Sequence, residues 1–169
     1  MMKKHLVSVL FLGIIFPLAA AAQGPLVRFE GGIGSQPLRS GGLINDVLNI
    51  NPGGRPWVIS HLSVDVKQDG RISVDGRGLL LGGGGNIGRT GGQSVHARLF
   101  CGGIAHNSGT VPLDDNGDFR IEGVLSPLPP SECADPVLLI VSGTAPAGSW
   151  FAAGIPKRSH QPTPSPFAR

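Results

Sequence analysis

Cys101 and Cys133 are the only two cysteines in the chain, and their chemistry depends on the compartment. In an oxidising environment two cysteines most simply form one disulfide. Their spacing is far from the CxxC of a redox or metal pair. A bridge between them would contribute about 3–4 kcal/mol on the chain-entropy estimate. His61, His96 and His106 are the body histidines. Imidazole is the commonest transition-metal ligand, so these three are the candidate ligands for a divalent metal or a histidine-based enzyme site. No pair among them has the spacing of a metal motif. Trp57 and Trp150 are candidate platforms for a sugar or apolar ligand, and equally candidate core anchors, given how much area Trp buries.

Three further patterns fall short of their motifs. Gly83, Gly85 and Gly88 match GxGxxG. A dinucleotide site needs that turn to open a helix, and here an alternating, strand-like segment follows. Asp114, Asn116 and Asp118 have the alternate oxygen spacing of a calcium loop. That loop needs Gly at its sixth position and Glu at its twelfth; here Gly117 falls at the fourth and Leu125 at the twelfth, so a hairpin turn is the expected structure. No GxSxG elbow occurs, and the serines and aspartates form no nucleophile–base pattern. No catalytic residue and no cofactor is assigned from the sequence.

The compartment is read from the start of the chain. Lys3, Lys4 and His5 precede an apolar run from Leu6 to Ala19, and Ala20-Ala21-Ala22 precede Gln23. A basic head, an apolar middle and a small-residue cleavage site predict a signal peptide over 1–22. The run is short for a membrane span, which wants about 20 apolar residues. The reading is therefore a bacterial protein exported to the periplasm or the extracellular space, with no membrane span after cleavage. The net charge of +3 includes Lys3 and Lys4, so the mature chain is close to neutral. That balance gives no electrostatic case for nucleic acid. Both methionines lie in the leader, which excludes a Met-lined copper carrier, and there is no Tyr.

The elements that must position these residues are strands. Leu26 to Glu30 reads as a first strand ending at Gly31-Gly32. Trp57, Ile59, Leu62, Val64 and Val66 line one arm of a hairpin, with a bulge expected near Ser60 or His61. Gln68-Asp69-Gly70 makes its turn, and Ile72 and Val74 begin the return arm. Gly82 to Gly92 is a glycine-dense loop. Val95, Ala97, Leu99 and Cys101 alternate with His96, Arg98 and Phe100 in another strand, where His96 takes a position suited to solvent. Thr110 to Leu113 and Phe119 to Gly123 are expected to pair as a second hairpin. Val137 to Val141 is a continuous apolar run, as in a buried central strand, and Trp150 to Ile155 is the last strand. Lys157 to Arg169 reads as a disordered tail. No amphipathic helix is found. The expectation is a single all-β domain over 23–156: an antiparallel, immunoglobulin-like β-sandwich or a barrel with long Gly/Pro-rich loops.

The order of these features resembles the chordin-type (CHRD) secreted domain between Phe29 and Ile155. The shared features are Pro52-Gly53-Gly54, the hairpin at Asp69-Gly70, the strand bearing His96, the step from Gly109 to Leu113, and a closing apolar strand near Ala147-Gly148. Of that family's His-Ile-His element only His96 is present, with Ala97 and Arg98 after it. The resemblance implies an immunoglobulin-like sandwich without assigned chemistry. The functional expectation is a secreted, non-enzymatic binding or structural module. A small enzyme or metal protein using His61, His96 or His106 is the alternative, and a third reading is a subunit of a larger surface assembly that meets a protein partner through an exposed strand edge.

Overall fold

The computed structural model describes residues 24–40, 43–143 and 145–157. The expected signal peptide and residues 158–169 of the expected tail lie outside the described residues. Twelve strands follow in order: β1 (Pro25–Gly34), β2 (Arg39–Ser40), β3 (Leu43–Ile44), β4 (Trp57–Val58), β5 (His61–Lys67), β6 (Arg71–Arg77), β7 (Leu80–Leu81), β8 (Ser94–Cys101), β9 (Ile104–Pro112), β10 (Phe119–Val124), β11 (Val137–Ser142) and β12 (Trp150–Pro156). Among the described residues there is no helix. Eight strands make one antiparallel sheet in the order β10-β6-β5-β1-β12-β11-β8-β9, while β2–β3 and β4–β7 are small separate ribbons.

The long sheet curls until its two edges meet. Asn107 and Ser126 exchange backbone hydrogen bonds of 2.8 Å each way, so the sheet is nearly closed. The all-β expectation holds, and the continuous ladder is barrel-like. Near-closure also bears on the strand-edge idea. The edge strands β9 and β10 face each other and are joined by the Asn107–Ser126 bridge, so part of the long sheet's edge is covered.

The hairpin β5–β6 forms for the reasons its sequence suggests. Leu62, Val64 and Val66 point inward and are at most 2% exposed. Gly70 takes φ 81° at the turn, and its N–H donates to the Lys67 carbonyl at 3.0 Å. At Ser60 the long ladder breaks completely. The Ser60 N–H and hydroxyl both donate to the Arg77 carbonyl, at 3.0 and 2.7 Å, and the arms continue as the separate ribbon β4–β7. The expected bulge is thus a corner between two sheets.

Several expectations are corrected. The first strand does not end at Gly31-Gly32. It bulges between Phe29 and Gly32, with Gly31 at φ 85°, and runs on to Gly34. Glycine carries the bulge without a Cβ penalty. The expected second hairpin does not form a ladder. Gly102 and Gly103, at φ 56° and 83°, make a two-residue turn that pairs β9 with β8, and β10 pairs with β6 instead. Two adjacent residues at positive φ give the turn whose twist suits a hairpin, so the chain folds back at once after Cys101. Finally, Lys157 is not part of a loose tail: its N–H donates to the Arg28 carbonyl at 2.8 Å.

The interior is filled by Phe29, Leu62, Ile72, Leu99, Ile121 and Leu138, all at most 2% exposed. A second apolar cluster lies on the outer face of the sheet. There Phe100, Leu139, Val141 and Trp150 pack together, with Val47 and Ile50 of the 45–52 segment against them. The β11 strand is therefore buried on both faces, which explains its unbroken apolar run. Cys101, at the end of β8, meets Cys133 in the connection to β11 with a Cα–Cα separation of 4.7 Å and the sulfurs at bonding distance.

Candidate functional site

The three histidines do not converge. His96 lies opposite Val141 and Thr110 across its two ladders, on the outer face of the sheet. His106 lies opposite Leu99 and shares its inward face. His61 stands on β5 opposite Arg77, on the far side of the barrel. Among the described residues no group of three His, Cys, Asp or Glu side chains could hold a metal.

The solvent-facing expectation for His96 is corrected: it is 0% exposed. The second apolar cluster covers that face, and the connection after β11 folds over it. The Nδ1 of His96 is 2.9 Å from the Gly143 carbonyl, and the Nδ1 of His106 is 2.8 Å from that of Pro127. A carbonyl only accepts, so both rings donate from Nδ1, and both Nε2 atoms are buried without a hydrogen-bond partner. Burial pushes the His96 pKa down, the Gly143 bond acts against that, and the nearby Arg98 charge adds to the depression. Arg98 itself is buried, donating from Nε to the Asn107 side chain at 2.7 Å and from Nη2 to the Pro146 carbonyl. These groups fasten the 143–149 connection to the barrel wall.

The tryptophans are core anchors. Trp57 stacks on Phe151 with ring centroids 3.9 Å apart, and both are at most 5% exposed. Trp150 sits in the outer cluster and donates from Nε1 to the Asn45 carbonyl at 3.3 Å. Neither offers an open ring face. The Asp114 segment is the expected turn. One oxygen of Asp114 accepts from the N–H of Asn116 and of Asp118, at 2.9 and 2.8 Å, and Asp118 accepts from Gly78 N–H at 2.9 Å.

A concavity surrounds the glycine loop. Gly83, Gly85 and Gly88 belong to a chain of turns with no helix after them. The loop is tied down by Gly82 N–H to Pro56 O (2.8 Å), Leu81 N–H to Arg89 O (2.9 Å) and Gly88 N–H to Leu81 O (2.8 Å). One groove of about 650 Å³ runs along Asn86 to Gly92 with Asp115 at its side. A second, of about 340 Å³, is lined by Arg55, Asn86, Gly91 and Gln93 with the rims of Trp57 and Phe151. Asn86 and Gly91 line both, so the two grooves adjoin and together are called the trough. Trp57 therefore reaches the trough, though only by its edge. Sequence reasoning passed over Arg55, Asn86, Arg89 and Gln93. The available signal was a single arginine, Arg89, inside an unusually glycine-dense stretch; Arg55 lies far before it in sequence.

The trough differs in charge from the rest of the surface. Arg28, Lys67, Arg71, Arg77, Arg120 and Lys157 each lie within 4 Å of a carboxylate. Among the described side chains, Arg55 and Arg89 are the exposed cations with no such partner. Comparison of the chain with protein-family models, curated proteins and solved structures gives no match.

Proposed function

We propose that this chain is an exported, disulfide-closed β-barrel that serves as a non-enzymatic binding module in the periplasm or outside the cell. One observation carries the reading. The barrel interior is packed with apolar side chains, so any partner must be met on the outside, and the polar residues with chemical potential are engaged in holding loops. His96 and His106 each bond a backbone carbonyl, and Arg98 fastens two segments. The cysteine pair at bonding distance suits an oxidising compartment. The resemblance to chordin-type domains fits the same kind of role.

Mass and metal analysis of protein recovered from periplasm and medium tests this. The expected product starts at Gln23, is about 2 Da lighter than its dithiol form, the mass of the two thiol hydrogens lost as the bridge forms, and carries no stoichiometric transition metal. A bound metal lost on His96→Ala would favour the histidine-enzyme reading instead. A chain kept in the cytosol with residues 1–22 intact would overturn the export reading.

A further inference from the structure

We infer that the trough around the glycine loop binds an acidic polysaccharide, with Arg55 and Arg89 taking its carboxylates. The inference rests on the binding-module reading and assigns its ligand. The first ground is charge. Six other exposed cations of the described surface are paired with acids, and the two that are not both line this trough. An arginine fork matches a carboxylate in two parallel hydrogen bonds, and a free fork at a concave site is a recognition element for that group.

The second ground is access. A Cβ at Gly84 would lie 3.1 Å from Nη1 of Arg55, so the guanidinium rests over bare glycine backbone. At Gly88 and Gly92 a Cβ would meet nothing within 4 Å, so a ligand can approach the loop backbone closely. The third ground is the mixture of partners. Asp115 also lines the trough and accepts hydrogen bonds only, while Asn86 and Gln93 bring amides that both donate and accept. A ligand that satisfies the whole set must offer carboxylates to the arginines and hydroxyl donors to Asp115 within a short repeat. A uronate polymer does so, and its apolar C–H faces suit the rims of Trp57 and Phe151. The trough is open to solvent, as a chain-like ligand needs.

Titration calorimetry with an oligogalacturonate of six sugars tests the inference on the intact exported protein. The wild type should bind, more weakly as salt is raised. The Arg55→Gln/Arg89→Gln double variant should bind about tenfold more weakly or worse. Both arginines are exposed and unpaired, and an unchanged near-ultraviolet spectrum from Trp57 and Trp150 verifies its fold. No binding by the wild type, equal binding by the variant, or equal binding of neutral dextran of the same length overturns the inference. Tighter binding of hexaglutamate also overturns it and makes the partner an acidic peptide. Mass spectrometry of the recovered oligomer separates the two readings. An intact, unbound oligomer removes only the ligand assignment, whereas shortened products remove the non-enzymatic reading.

Discussion

Replacing both cysteines by alanine should reveal how much of the barrel's stability comes from cross-linking rather than from packing. Cys101 ends β8, and Cys133 lies in the connection that carries the chain from the edge strand β10 to the central strand β11. The sequence separation is 32. On the chain-entropy relation, closing a loop of that size removes enough freedom from the unfolded chain to stabilise the fold by about 3.7 kcal/mol at 25 °C. Alanine retains the Cβ carbons and the Gly102 N–H still donates to the Ala134 carbonyl at 2.7 Å, but the buried Cys101 sulfur is lost from the core, which adds a cavity cost to the double variant. For a domain of this size the loss corresponds to roughly 7–15 °C in melting temperature. Urea titration of Cys101→Ala/Cys133→Ala, beside the wild type with and without a reductant, measures it. Reduced wild type should lose about the cross-linking free energy, and the double variant that amount plus the cavity cost of the buried sulfur. A loss below about 1 kcal/mol in both would refute the cross-linking argument. A loss in the double variant alone, with reductant having no effect, would place the stabilisation in packing.

Two further outcomes follow from single contacts. Gly76 lies opposite Phe119 in the β6–β10 ladder, and a Cβ there would fall 2.2 Å from the phenylalanine ring. Gly76→Ala should cost about 1–3 kcal/mol by urea titration and much less in a Phe119→Ala background, where the methyl has room; equal costs in both would remove the steric explanation. The second outcome concerns pH. His96 has its pKa depressed in the fold, mainly by burial, so the unfolded chain takes up a proton first as pH falls. Stability should be complete above about pH 6.5, the ordinary histidine value, and fall as pH drops through it. His96→Asn retains a donor at the Nδ1 position and should flatten that slope in a series of unfolding curves between pH 7.5 and 5, whereas an unchanged slope would assign it to other groups.

Strands were legible wherever one face meets the interior and the other meets water. The stretch from Leu62 to Val66 shows this, because alternation and an Asp-Gly turn act on the same few residues. Legibility failed where the determinants were not local. Gly102-Gly103 makes the β8–β9 turn, yet only Ile104-Ala105 follow before the polar His106-Asn107-Ser108, so the return strand shows no clear alternation until Thr110. The pairing of β10 with β6 rather than β9 sets the Phe119 ring over Gly76, a contact between residues 43 positions apart. No window of sequence contains that contact.

The site was harder to read for a related reason. A histidine at an alternating position of a strand looks solvent-facing only if nothing covers that side of the sheet. Here the 45–52 segment and the connection after β11 cover it, and His96, Arg98 and Phe100 are buried together with Leu139 and Val141. Covering also changes the meaning of polarity. Under a loop, a polar group's value lies in the carbonyl it fastens, as with His96 and Gly143 or His106 and Pro127. Chemistry toward a ligand then falls to groups that no internal partner claims, and pairing decides which those are. Neither Arg55 nor Arg89 belongs to any motif. They stand out only once the other cations have been seen against their carboxylates, so the property that marks the trough is relational and becomes visible in the folded chain.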